Sequence, residues 1–311
     1  MSLRFLAGKV LRALLTLWLA VTFVFIVLRM SGDPVQRLLP DDAPLSVIEA
    51  YRARWGLDRS LPEQYVTYLR SVAAGDLGIS FRDDRPAIDV VMERVPATLR
   101  LGFAALAVTL LIGLPFGVLA ALARGTLLDR GTMAFTILGH SLPSFFLGIL
   151  LILTFSMYLR VLPSSGSATW LHLIMPALTL GTGAAGAIAR FTRSSMLEVL
   201  NRPFMRTARA KGASPLRRIV GHALPNAAIP VITVLGLRVG ALIGGAVVVE
   251  PVFGWPGVGN LLVGAVAQRD LAVVQTIVLM VAFTMAAINF AVDLTYGWLN
   301  PRVNMLGQGT T

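Results

Sequence analysis

Six runs of apolar residues, each about the twenty needed to cross roughly 30 Å of hydrocarbon, constrain this chain more than any other feature. They read as Leu11–Leu28, Leu99–Ala123, Met133–Leu159, Leu171–Ala189, Ala227–Val249 and Ala272–Leu299. With 56% hydrophobic and 14% charged residues, too little polar surface remains for a soluble domain. The expected fold is therefore all-α: a polytopic membrane protein of six transmembrane helices. Proline at 143 should kink the third span, and small residues in the fourth, at Gly181, Gly183, Ala184 and Gly186, should pack it closely against its neighbours.

Charge sets the orientation. The net charge of +11 lies in short loops beside the spans, so it reads as topology rather than as a nucleic-acid footprint. Eight basic residues and one acidic residue lie between Arg190 and Arg218, whereas residues 31–96 hold 11 of the 16 acidic residues. Basic loops stay in the cytoplasm. Both termini and the Arg124, Arg130, 190–218 and Arg302 positions then lie inside, while 31–96, 160–170 and 250–271 lie outside. The first run follows Arg4, Lys9 and Arg12, but it is long for a signal core. No small-x-small cleavage site follows it, so an uncleaved span is expected.

Residues 31–96 read as an external helical domain rather than a linker. Asp33-Pro34, Ser46-Val47-Ile48-Glu49 and Ser60-Leu61-Pro62-Glu63 are helix-start patterns, and Gly75-Asp76-Leu77-Gly78 is a turn. Between the last two spans, Trp255-Pro256-Gly257-Val258-Gly259 is expected to depart from regular helix. The resulting division is 1–30 tail and first helix, 31–96 external domain, 97–300 transmembrane domain with a cytoplasmic loop at 190–225, and 301–311 tail.

The loop at 202–225 reads as a helix, a turn and a second helix, with Gly212 as a left-handed stop and Ser214-Pro215 as cap and first turn. Within it, Arg206-Thr207-Ala208, then Gly212, then Leu224-Pro225 resemble the cytoplasmic signature of ABC importer permeases: EAA, three residues, G, nine residues, I-x-L-P. Arg206, Thr207 and His222 stand where that signature has Glu, Ala and Ile. Thr207-Ala208-Arg209-Ala210-Lys211-Gly212 is similar to the T-A-R-A-K-G form found in the dipeptide and oligopeptide branch. Gly32-Asp33-Pro34, Gly56-Leu57-Asp58, Leu61 to Tyr65 and Gly75 to Gly78 resemble the amino-terminal region of the same permeases.

That resemblance implies a permease subunit of an ATP-driven importer in the bacterial cytoplasmic (inner) membrane. Residues Arg206, Thr207, Ala208, Arg209, Ala210, Lys211, Gly212 and Ala213, with Leu224 and Pro225, would couple it to an ATPase. It implies as partners two ATP-binding subunits, a second permease chain and an external binding protein. It further implies a di- or oligopeptide solute, with nickel, a metallophore or glutathione as alternatives. No phosphate-binding G-x-x-x-x-G-K-S/T occurs, so ATP and Mg²⁺ are expected on partner subunits, with no cofactor or metal on this chain. Neither does a pair of histidines at metal spacing occur, and cysteine is absent.

Candidate pathway or external-gate residues are Arg238, Glu250, Trp255, Pro256, Gly257, Arg269 and Asp270. Arg238 lies in hydrocarbon, where charge is costly and faces a bundle interior or cavity; Asp293 is its counterpart by type. Gly236, Gly240 and Gly244 are spaced for helix packing. The Trp255 segment resembles the external segment of dipeptide, nickel and glutathione permeases. It would gate, dock a binding protein or simply anchor at the interface. A secondary transporter or channel, or a membrane scaffold, would share the spans without needing an ATPase.

Overall fold

The structure, a computed structural model, describes residues 3–30, 44–54, 57–80 and 82–299. The expected features at Gly32-Asp33-Pro34, at Gly56 and in the 301–311 tail, Arg302 included, lie outside the described residues, as do the side chains of His140, Arg238 and Asp293. Helix dominates, and among the described residues the only β feature is an isolated bridge between Ile79 and Pro86. The chain divides into two compact units.

The larger unit is built on Arg94–Val263 and the chain from Ala287 onward. For the helices that build it, numbering is kept in chain order from α1 (Leu3–Met30), α2 (Leu45–Arg54), α3 (Leu61–Ala73) and α4 (Ala87–Met92). It then contains α5 (Val95–Leu122), α6 (Leu127–Ser141), α7 (Ser144–Leu151), α8 (Leu171–Leu200), α9 (Pro203–Ala210) and α10 (Leu224–Val252). The first turns of α11 (Val258–Ala267) and the last of α12 (Leu271–Leu299) belong to it as well.

Helix α8 is the centre of this unit. It lies against α5 at backbone distance, because a Cβ on Gly113 would stand 2.9 Å from Ile188, and one on Gly181 would stand 2.6 Å from the Ala105 carbonyl. Thr109 Oγ1 donates to the Gly181 carbonyl at 3.0 Å across the same seam. The paired numbers rise together, so α5 and α8 run parallel. Helix α6 runs antiparallel to α8, with Gly186 facing the Thr136 carbonyl and Gly139 facing that of Thr182. At one end, Leu101, Ala105, Met175, Leu180, Val249 and Trp255 form an apolar core.

Among the described residues four helical stretches are long and apolar enough to cross a membrane: Ala7–Val27, Ala87–Leu122, Leu171–Leu200 and Leu271–Val292. A fifth arises if Arg217–Ala228 and Pro230–Gly236, bent by 44°, count together. The run expected to be one span over Met133–Leu159 is instead two helices. Pro143 sits between them in an extended conformation, φ −58° and ψ 137°, and caps α7, since a proline offers no N–H to continue a helix. Beyond Leu151, residues Ile152–Tyr158 wind as π-helix. The fourth run extends past Ala189 as unbroken helix to Leu200.

The smaller unit holds Ala7–Glu93 and Gly264–Ala286. The C-terminal half of α1 packs on α3: the Phe25 ring meets Tyr65 edge-on at 5.1 Å, and the Thr22 hydroxyl lies 2.6 Å from that of Tyr65. Burial, and then the neighbouring Tyr65, push the Tyr68 phenol up to about 12. Two of the helix starts fare differently. The Ser60 N–H donates to Glu63 Oε2 at 3.2 Å, as expected of a capping box. Ser46, by contrast, lies inside α2, because the Pro44 carbonyl accepts the Val47 and Ile48 N–H groups and starts the helix earlier. The turn at Gly75–Gly78 is present, with both glycines at positive φ.

Candidate functional site

The predicted coupling residues form a projecting hairpin. Pro203 opens α9 from an extended Arg202, and its fixed φ suits the first helical position. The helix ends in a paired stop: Gly212 N–H donates to the Arg209 carbonyl at 3.0 Å, and Ala213 N–H to that of Ala208 at 3.1 Å. Gly212 takes φ +75°, a region glycine enters without steric cost. Ser214 then caps the next turn, its Oγ accepting from Arg217 N–H at 3.3 Å. Residues Arg217–Ala223 continue as π-helix into Leu224 and Pro225 at the head of α10.

One buried residue of α9 holds this hairpin down. Met205 packs with Ala121, Met196, Ala223 and Ala227, drawing the ends of α5, α8 and α10 together beneath it. Arg206, Thr207, Arg209, Ala210, Lys211 and Gly212 are exposed, while Ala208 and Ala213 are half-buried. Phe204, Leu216 and Val220 add exposed apolar surface to the same segment. The result is a helix carrying Arg206 and Arg209, flanked by Arg202 and Lys211, with small residues and apolar edges, held at one point.

A contact beside it was not foreseen. The Arg193 guanidinium of α8 grips Asp129 at the start of α6 with two parallel bonds, Nε to Oδ1 at 2.6 Å and Nη2 to Oδ2 at 2.8 Å. Gly125 N–H adds a third at 3.0 Å. Asp129 is buried, and the Arg193 bonds, followed by the Gly125 N–H, bring its carboxyl down to about 2. The two residues are 64 positions apart, and the only hint in the sequence is an acid inside a basic loop.

The predicted external residues separate into two groups. In the larger unit, Glu250 is fully buried at the end of α10. Its Oε1 accepts from Thr98 Oγ1 at 2.7 Å, and its Oε2 from the N–H groups of Gly259 at 2.6 Å and Asn260 at 3.1 Å. Thr98 Oγ1 in turn accepts from Val258 N–H at 2.8 Å, and Trp255 Nε1 donates to the Ala97 carbonyl at 2.9 Å. Glu250, Thr98 and Trp255 thus tie the foot of α5 to the turn after α10. The irregular stretch there lies two residues earlier than expected. It covers residues 253–257, including Pro256, and Val258 and Gly259 already open α11 because the Glu250 carboxyl caps its first N–H groups.

In the smaller unit, Arg269 is exposed at φ +59° and ends α11, with Asp270 N–H donating to the Ala265 carbonyl at 2.8 Å. Asp270 is buried and starts α12: its Oδ1 accepts from Val273 N–H at 3.2 Å and its Oδ2 from Ser80 Oγ at 2.5 Å. Arg238 lies in the middle of α10 by backbone position. His172 Nδ1 is held by Thr169 N–H at 3.2 Å at the entry to α8.

Comparison with known proteins places the whole chain. Residues 2–102 match the family described as binding-protein-dependent transport system membrane component, N-terminal, and residues 113–305 match the binding-protein-dependent transport system inner membrane component. The chain is 40% identical over 302 residues to the glutathione transport system permease protein GsiC of Escherichia coli strain K12, covering 97% of this chain and 99% of that one. The same protein of Shigella flexneri serotype 5b is 39% identical over equal coverage. Among solved structures, a chain of the inward-facing MetNI methionine ABC transporter superposes with TM-score 0.57 at 24% identity, covering 68% of this chain and 96% of that one. This chain belongs to the binding-protein-dependent transport system inner membrane component family and is a multi-pass permease of an ABC importer.

Proposed function

We propose that residues 202–225 are where this permease takes up the work of ATP hydrolysis from partner subunits. The exposure of α9 above a single buried anchor, Met205, carries the reading. A helix held at one point and otherwise free offers nearly its whole surface to a partner. Its cations and apolar edges fit a groove with an apolar floor and acidic rim. ATP and Mg²⁺ would then sit on two ATPase subunits. The chain itself acts as the non-catalytic subunit, paired with a second permease and served by an external binding protein.

Direction of travel supports six crossings. Helices α5 and α8 are parallel, so the chain returns between them, and α6, α7 and the π-helical turns supply that return. The third crossing is then a broken helix rather than a single rod. The distribution of basic residues supports a topology with both ends and the hairpin in the cytoplasm of a bacterial inner-membrane importer.

The solute we assign is a short peptide, and glutathione, itself a tripeptide, is the first to test. The 40% identity to a glutathione permease supports this class. The test is reconstitution with ATPase, partner permease and binding protein, comparing wild type with Ala210→Trp, which adds bulk to an exposed face. ATPase co-purification and stimulated hydrolysis should be lost in the variant. Normal assembly and turnover would remove the hairpin from the coupling role. Uptake of labelled glutathione against a dipeptide then fixes the solute.

A further inference from the structure

We infer that Asp129 and Arg193 are positioning residues of the transport cycle, fixing the foot of α6 to α8 so that both move when the hairpin moves. The inference rests on the importer reading above and extends it to a pair outside the hairpin. Two facts of packing lead to it. The cytoplasmic-side end of α8 is already one body with α5: a Cβ on Gly117 would stand 2.5 Å from Thr192, and Met196 shares the buried cluster under Met205. Helix α6 begins only after the Ala123–Thr126 turn, where Gly125 takes φ +82°. Apart from that turn, the Arg193–Asp129 contact is the charged connection of its first residues to α8.

The geometry suits transmission rather than simple adhesion. Two parallel bonds from a planar guanidinium resist both sliding and rotation, which a lysine, with one flexible ammonium, does not. The third bond, from Gly125 N–H, fixes the carboxylate to the turn itself. Asp129 is buried and Arg193 partly so, which weakens competition from water and salt. A displacement of α8 therefore reaches α6 without slack. Further along, α6 approaches α8 at Gly186, where a Cβ would stand 2.9 Å from the Thr136 carbonyl. The pair thus sets the register at one end of a seam that is close-packed at the other.

The experiment uses the reconstituted complex and reads solute uptake per ATP hydrolysed. Asp129→Asn, Arg193→Gln and Arg193→Lys are compared with wild type. In the first two, stimulated hydrolysis should stay within about twofold, while uptake per ATP falls by about five- to tenfold, the size of other coupling contacts. Arg193→Lys, retaining charge without the fork, should fall between. Unchanged uptake per ATP in all three would overturn the inference. So would a parallel loss of uptake and hydrolysis, or failure of even Arg193→Lys to assemble, since the pair would then be a folding contact only. Absence of stimulated hydrolysis in the wild type would instead strike the importer reading of the hairpin.

Discussion

Glu250 and Gly257 share one space: any Cβ on Gly257 would collide with the buried Glu250 carboxyl. The glycine is therefore required by the acid, whose carboxylate accepts from three fixed partners: Thr98 Oγ1 and the N–H groups of Gly259 and Asn260. Gly257→Ala should destabilise the chain by on the order of 3 kcal/mol, because it displaces a buried hydrogen-bonded carboxyl. Thermal unfolding in detergent measures the loss. A red shift of tryptophan emission should accompany it as Trp255 is released to water.

Thr98→Val tests the same anchor more gently. It removes the donor to Glu250 and the acceptor of Val258 N–H together. The expected cost is about 1–3 kcal/mol. Thr98→Ser, which keeps both bonds, should retain most of the stability in the same melt.

Ser80 and Asp270 make the corresponding anchor in the smaller unit. Ser80→Ala should cost about 1–2 kcal/mol, while Asp270→Ala should cost more, since it also uncaps α12. Limited proteolysis between residues 76 and 86 should quicken in the same order. Equal rates in wild type and both variants would show the contact to be idle.

The Asp129 carboxyl, held down to about 2 by Arg193 and Gly125 N–H, gives a pH signature. Its folded value lies below the ordinary carboxylate value of about 3.9. The stability it contributes is therefore complete above about pH 4 and is lost as pH falls toward 2. Melting temperature should be flat in this respect from pH 5 to 8. Asp129→Asn should be less stable there, and the gap to wild type should close on acidification.

Local chemistry was legible in the sequence wherever neighbours in the chain were enough. Gly212 and Ser214 announced the hairpin, and both do what their residue types predict. Membrane class, family and the glycine turns were readable for the same reason. Contacts across the fold were not. Glu250 and Asp270 read as candidates for a pathway or external gate, and no local pattern pointed to their fixed partners. Their burial depends on Thr98 and Ser80, 152 and 190 positions away. The break at Pro143 was written in the sequence, but hydropathy alone ran the span through it. Ser46 misled because Pro44 starts that helix two residues sooner.

The unbroken length of α8 has a mechanical consequence. Thirty residues at 1.5 Å each make a rod of about 45 Å, longer than the roughly 30 Å hydrocarbon layer. With no non-helical joint between Leu171 and Leu200, though with Pro176 inside its first turns, it has the form of a lever: a rigid rod of that length pushed by about 3 Å at one end and turned about its midpoint would tilt by about 8° and swing the other end about 3 Å the opposite way. The apolar core around Met175 and Leu180 sits on that opposite arm. If the hairpin takes the coupling role proposed for it, small strokes there would be reproduced, inverted, at the far end of the helix.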